Sequence, residues 1–298
     1  MKKPMGRISK MVAALAVTAL AATACGSDSS SGDAEGNDTI TLGIIPSWTD
    51  GLSTAHLWKA ILEDEGYTVE IEEISDAAPL YTAVANGDYD VYPSAWPQET
   101  HSEYIEKYGD DLEDLGAYYD NAKLTFAVPE YTDITSIADL NDDPDRFGGR
   151  IVGIEPGAGL TDITKKSVIP TYELGENFEF VESSTTAMLA ELKKATDNEE
   201  DIVVTLWRPF WAYAEFPVKD LEDPEGALGE TQTLNLIANK DFSDEFPDVA
   251  EWMGNLKLDD DQYGQLEDLV VNQHADDPAA GAAAWLEANP DFVDELKG

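Results

Sequence analysis

Val203-Val204-Thr205-Leu206-Trp207-Arg208-Pro209-Phe210-Trp211 is a run of branched apolar residues that ends in a cluster of large rings. Charge precedes it and proline follows, which predicts a buried strand presenting Trp207 at its tip. Pro209 is placed to open a following helix. Two other stretches share this grammar. Thr41-Leu42-Gly43-Ile44-Ile45 runs into Pro46-Ser47-Trp48-Thr49-Asp50, and Asp90-Val91-Tyr92-Pro93-Ser94-Ala95 runs into Trp96-Pro97. Three core strands that each end in tryptophan place three flat aromatic faces at the mouth of a sheet.

Between these stretches, strands and helices alternate from Thr39 onward, the pattern of an α/β fold rich in parallel strands. Helices are expected over Leu52–Glu65, capped by Ser53 or Thr54 and stopped by Gly66, and over Leu80–Asn86, closed by Gly87. A strand is expected at Leu124–Val128, then a polar stretch, then a second series. That series starts with a strand at Arg150–Ile154 that runs into Glu155-Pro156-Gly157-Ala158-Gly159. Asp220–Thr231 is acidic and carries Gly and Pro, as a return crossing would. Trp252 and Trp285 sit at helical spacing within apolar faces near the C-terminus and read as core. The architecture expected is two α/β lobes with a cleft between them: 39–127 plus 232–298 as lobe I, and 128–231 as lobe II.

The N-terminus reads as a targeting segment, residues 1–24. Lys2, Lys3, Arg7 and Lys10 form a basic start, and Met11–Ala24 is a 14-residue apolar or small-residue run, too short to span a bilayer comfortably. Ala22-Thr23-Ala24-Cys25-Gly26-Ser27 resembles the bacterial lipobox, with Ala22 where Leu is usual. That resemblance implies lipidation of Cys25; a plain secretory signal is the alternative. Residues 25–38 are rich in Ser, Gly and Asp and read as a flexible tether. Together they predict a globular protein held at the outer face of a membrane.

The 298 residues carry 18 basic and 61 acidic side chains, a formal net charge of −43. Such a surface repels nucleic acid, so no nucleic-acid partner is expected. It suits salty surroundings and mildly favours cations at long range. Cys25 is the only cysteine, so no disulfide can form within the chain. His56, His101 and His274 are the only histidines, and none falls in a catalytic or metal-ligand pattern. Gly157-Ala158-Gly159 lacks both the Lys-Ser/Thr of a P-loop and the full dinucleotide fingerprint. No enzyme, cofactor or metal is expected.

A binding function has positive support. A quaternary ammonium has no N–H donor, so it is selected by aromatic faces surrounding a diffuse cation, with Trp the best face. Trp48, Trp96 and Trp207 offer such faces, with Tyr92, Tyr118, Tyr119, Phe210 and Trp211 in reserve. Core packing is the alternative for each. The Gly157-Ala158-Gly159 turn, between a strand and a helix, can receive a carboxylate on its N–H groups; a tight turn without a ligand is the alternative.

From Thr39 to Val293 the chain resembles substrate-binding proteins of ABC importers for glycine betaine, proline betaine, carnitine or choline. The resemblance is carried by Leu57-Trp58-Lys59-Ala60-Ile61-Leu62-Glu63, Gly87-Asp88-Tyr89-Asp90-Val91, Ala95-Trp96 and Gly153-Ile154-Glu155-Pro156-Gly157-Ala158-Gly159. Ser183-Ser184, Ala187-Met188-Leu189-Ala190, Ile202–Trp207, Asp277-Pro278 and Ala284-Trp285-Leu286 carry it further. It implies a type II periplasmic-binding-protein-like fold that closes on its ligand, a cage of Trp48, Trp96 and Trp207, and delivery to a membrane permease. A monomer is expected. Many betaine binders of this kind have a histidine where Phe210 stands, and it helps to hold the carboxylate. Here Gly157, Ala158, Gly159 or Arg208 would take that task, unless Arg208 is a surface residue. Trp48-Thr49-Asp50 instead resembles the choline-binding branch, in which the acid faces the cation or hydroxyl. Glycine betaine or a related betaine is the first expectation, then choline or carnitine. A sugar-binding lipoprotein is the runner-up, because tryptophan also stacks on sugars; an adhesive surface protein is a third class.

Overall fold

The computed structural model describes residues 39–298. The targeting segment, Cys25 and the tether lie outside the described residues. Among the described residues nine strands form, in sequence order: β1 Thr39–Ile44, β2 Thr68–Glu73, β3 Val91–Ala95, β4 Leu112–Pro129, β5 Arg150–Val152, β6 Glu179–Val181, β7 Val203–Arg208, β8 Val218–Asp220 and β9 Gln232–Asn239. β1 lies parallel to β2 and to β3, and β9 runs antiparallel between β3 and β4. This first sheet gives way to a second, in which β7 is antiparallel to β4 and parallel to β5, and β6 is parallel to β5. β8 pairs antiparallel with the end of β4.

β4 belongs to both sheets. Leu112–Ala122 pairs with β9, and Lys123–Ala127 pairs with β7. Only its last third is apolar in sequence, so the expected strand at Leu124–Val128 is its second-sheet portion. The more polar first part is held by the β9 ladder and by burial of Tyr118, Tyr119 and Ala122. The chain passes from the first sheet to the second along β4 and returns through residues 221–231.

Helices cover the sheets: α1 Thr49–Asp64, α2 Ala77–Asn86, α3 Ser102–Tyr108 and α4 Gly159–Ile163, followed by helix Thr185–Asp197 and a C-terminal set that includes Asp260–Glu267 and Pro278–Ala288. α2 starts on the Asp76 carboxylate, which accepts from Ala78 N–H, and ends at Gly87, whose φ of 76° is left-handed as the expected stop requires. α1 starts one turn earlier than expected. The Trp48 carbonyl takes N–H bonds from Gly51 and Leu52, so Gly51 is absorbed into the first turn instead of breaking it. Trp48 therefore stands at the cap position, and Asp50 lies inside the helix start. Pro209 does not open a helix; residues 209–211 turn, and the short helix that follows is Ala212–Glu215.

The core is continuous along both sheets. Trp58 and Trp285 are among its largest fully buried side chains, and Trp285 Nε1 donates to the Gln262 carbonyl at 3.1 Å. Its ring meets Phe292 edge-on at 4.7 Å. Trp285→Ala leaves a ring-sized cavity and removes the indole hydrogen bond to the Gln262 carbonyl. The expected cost is about 3–5 kcal/mol of folding stability, read from urea unfolding followed by far-UV circular dichroism.

Candidate functional site

The parallel strands β1, β3, β5 and β7 turn their carboxyl ends toward one crevice, where open α/β sheets place ligands. Trp48 follows β1, Trp96 follows β3, Ala158 and Gly159 follow β5, and Trp207 is the penultimate residue of β7. These residues line a single cavity with Asp50, Thr100, His101, Leu124, Ile154 and Leu160. Its empty space, counted with the solvent at its mouth, is about 340 Å³. The three indoles are nearly buried, at 8%, 5% and 5% exposure for Trp48, Trp96 and Trp207.

Each ring is braced by a neighbouring side chain. Trp207 stacks on Phe210, centroids 4.0 Å apart at 26°. Trp48 lies parallel to the His101 ring at 6.1 Å and 17°. Trp96 Nε1 donates to Asp50 Oδ2 at 3.2 Å. Asp50 Oδ2 also accepts from Ser94 Oγ at 2.7 Å, Ser94 accepts from the Tyr118 hydroxyl at 2.9 Å, and Tyr118 accepts from Thr54 at 3.3 Å. Oδ1 of Asp50 is buried with no formed hydrogen bond among the described residues. Burial pushes the Asp50 carboxyl up, against the downward pull of Ser94, Trp96 and the backbone at the helix start.

His101 falls in no catalytic or metal-ligand pattern of the sequence. The structure puts it in the cavity wall. The Trp96 N–H donates to Nδ1 at 3.1 Å, and the Tyr81 hydroxyl lies 3.0 Å from the same atom. Nδ1 is therefore an acceptor and Nε2 carries the proton. Burial lowers its pKa to about 3, so the ring is neutral near pH 7. Its loop is pinned by Gln232 Oε1, which accepts from the N–H groups of Glu99 and Thr100 and from the Thr100 hydroxyl. The available signal was the short Trp96-to-His101 spacing after a strand end.

Ala158 and Gly159 reach the wall, whereas Gly157 sits just behind it and its carbonyl accepts from the Tyr104 hydroxyl. The Ala158 N–H is committed to the Glu155 carbonyl at 3.0 Å, which removes it from the expected donors. Gly159 and Leu160 open α4, where first-turn N–H groups have no carbonyl four residues back. Gly159 is pressed against the Thr100 backbone: a Cβ there would lie 1.9 Å from the Thr100 carbonyl oxygen.

Arg208 is not brought to this cavity. Successive strand residues face opposite ways, so with Trp207 inward Arg208 points outward. It donates from Nε to Asp220 Oδ2 at 2.8 Å and lies 3.4 Å over the Tyr213 ring. With Phe210 and Trp211 it lines a separate, larger cavity. Of the reserve rings, Tyr119 lines that second cavity, and Tyr92 and Tyr118 are buried beneath the site. Phe210 touches the site only through Trp207. Among the described residues, no group of three or more His, Cys, Asp or Glu side chains could hold a metal ion, and no helix is long and apolar enough to cross a membrane.

Two sheets that share one strand, with a cavity at the carboxyl ends of their parallel strands, define a type II periplasmic-binding-protein-like fold. Residues 38–288 match the family model OpuAC, the substrate-binding domain of ABC-type glycine betaine transport systems. The chain belongs to this family. Lactococcal OpuAC in its closed form with glycine betaine is 28% identical, with a TM-score of 0.79 over 87% of this chain and 99% of that one. An ABC-transporter choline-binding protein in complex with choline is 26% identical, with a TM-score of 0.78 over 87% of this chain and 91% of that one. The glycine betaine/carnitine transport binding protein GbuC of Listeria monocytogenes is 31% identical over 143 residues, 48% of this chain. That match spans about half, 47%, of the Listeria protein.

Glu267 lies beside the site on the C-terminal side. It is 3% exposed and accepts from Thr49 Oγ1, next to Asp50. Burial, aided by the nearby Asp50 carboxylate, pushes its pKa from an ordinary 4.5 to about 8. Between these values the folded chain keeps a proton that the unfolded chain has lost, so stability falls as pH rises through that window. Glu267→Gln should flatten this decline, by on the order of a few kcal/mol at pH 8 relative to pH 5. Urea unfolding of both proteins across that range measures it.

Proposed function

We propose that this protein captures a small quaternary ammonium compound in the cavity walled by Trp48, Trp96 and Trp207 and delivers it to an ABC importer in the membrane. The observation that carries this reading is the convergence of three braced, nearly buried indoles on one cavity that holds a single carboxylate, Asp50. Indole faces and one buried anion suit a cation without N–H groups. Glycine betaine is the first ligand on the reading, supported by the family and by the glycine betaine bound to lactococcal OpuAC. The ligand's carboxylate would face the first-turn N–H groups of Gly159 and Leu160 and the His101 Nε2–H, the neutral donors on this wall. They replace the histidine that Phe210 displaces, and Arg208 has no part in it.

Choline is the second reading, favoured by Asp50. Its unbonded Oδ1 repels a ligand carboxylate when ionised and welcomes a hydroxyl or a bare cation. On either reading the first sheet with the C-terminal helices forms one lobe, the second sheet with Lys123–Ala127 of β4 forms the other, and the two close on the ligand. The protein works as a monomer outside the cytoplasm, tethered through lipid on Cys25. It is a carrier with no catalytic step.

Calorimetric titration with glycine betaine, choline, carnitine and a panel of sugars tests the reading. Binding of a quaternary ammonium compound but of no sugar is expected; the reverse would sink it. Each indole face contributes about 1–2 kcal/mol, so Trp48→Ala, Trp96→Ala and Trp207→Ala should each weaken binding about five- to thirtyfold. Unchanged affinity in two of the three would return those rings to the core.

Asp50→Asn separates the two ligands. It keeps the hydrogen bond from Ser94 and removes the charge. Choline should bind about tenfold more weakly to it, and glycine betaine as well as or better than to the wild type. Parallel titrations of both proteins provide the comparison.

A further inference from the structure

Glu155 follows β5 and does not line the cavity, yet it touches both sides of it. On its own side it sits at the start of helix Thr185–Asp197. There Thr185 N–H donates to Oε1 at 2.9 Å and Thr185 Oγ1 donates to Oε2 at 2.8 Å. Across the crevice, Ser47 Oγ donates to Oε1 at 3.3 Å and Trp48 Nε1 donates to Oε2 at 3.2 Å. Each oxygen thus takes one bond from the second-sheet side and one from the turn between β1 and α1. The carboxylate is rigid on the helix and reaches over to the edge of an indole.

The same loop is gripped at its other end. The Tyr104 hydroxyl donates to the Gly157 carbonyl at 3.3 Å. A Cβ on Gly157 would lie 2.4 Å from Asp76 Oδ1, and Gly159 presses on Thr100. Tyr104, Asp76 and Thr100 all belong to the first-sheet side. Residues 155–159 therefore form a seam that exists only when the two sides are together.

We propose that Glu155 is a positioning residue that clasps the indole edge of Trp48 from the opposite side of the crevice, so that orienting this face and closing the crevice are one event. The clasp rests on the proposed function, since it needs Trp48 to face a ligand. Glu155 holds the ring plane and leaves its face to the ligand. A ligand that fills the cavity presses on a wall that can yield only by breaking a bond across the seam. Release is therefore slow relative to a wall carried by one side alone.

The chain and its Glu155→Gln variant are titrated with glycine betaine and choline, and release is followed by stopped-flow tryptophan fluorescence. The variant should bind about tenfold more weakly, almost all of it as faster release, with association within twofold of wild type because encounter occurs with the sides apart. Trp48→Phe keeps a ring but has no indole N–H. In that background, Glu155→Gln should weaken binding less than threefold further. Full multiplication of the two effects would show that Glu155 does not act through the indole, and overturn the clasp. Ser47→Ala removes one bond from the far side without disturbing the turn at Glu155. It should speed release about threefold; unchanged release overturns the clasp even if Glu155→Gln fails to fold. A wild-type chain that binds no quaternary ammonium compound brings down the functional reading and the clasp with it. Wild-type binding that Glu155→Gln leaves within twofold overturns the clasp alone.

Discussion

The ladder between β4 and β7 sets Leu124 directly opposite Trp207 and Lys123 opposite Arg208. Leu124 and Trp207 face the cavity, and their neighbours face away from it. A slip of one residue would turn Trp207 outward and bring Arg208 into the aromatic wall. The register is protected from both ends. Phe126, Ala127 and Val128 are fully buried in the second sheet, and the first half of β4 is tied to β9. The site thus depends on a strand too long to belong to one sheet, whose two halves each prevent the other from sliding.

Electrostatics beneath the rings follow from that packing. Asp50 and Glu267 are both buried on the first-sheet side, where a bare carboxylate is costly. Thr54, Tyr118 and Ser94 pass their hydroxyls in sequence toward Asp50, and Thr49 serves Glu267. One oxygen of Asp50 remains without a donor. A permanently charged cation in the cavity would supply the missing interaction without any proton. On the proposed reading, ligand and carboxylate each relieve the other's desolvation.

Much of this was legible in the chain. Apolar runs bounded by glycine, proline and charge placed β1, β3 and β7, and the tryptophan at each strand end pointed to their common destination. The first part of β4 was not legible, because Leu112–Lys123 carries the polar composition of a loop and is a strand only through its partner. The start of α1 was missed because Gly51 reads as a breaker. Arg208 was judged by chemistry when strand alternation should have turned it outward as soon as Trp207 was taken as inward. His101 and Glu155 belong to a different kind of information. Their partners lie far off in sequence, Tyr81 and Trp48 among them, and nothing local marks which of 61 acidic residues will meet an indole.

Apart from Asp50, the cavity wall is built from uncharged groups, the three indoles foremost. Even His101, held neutral by burial, adds no positive charge. Contacts sealed between such faces are poorly reached by mobile ions, whereas the pull of the acidic exterior fades once the Debye length shrinks to about 3 Å near 1 M salt. Capture of a net cation such as choline by this wall should therefore change its rate with ionic strength far more than its strength. A carrier of this design would go on holding its cargo in brine that silences the field around it.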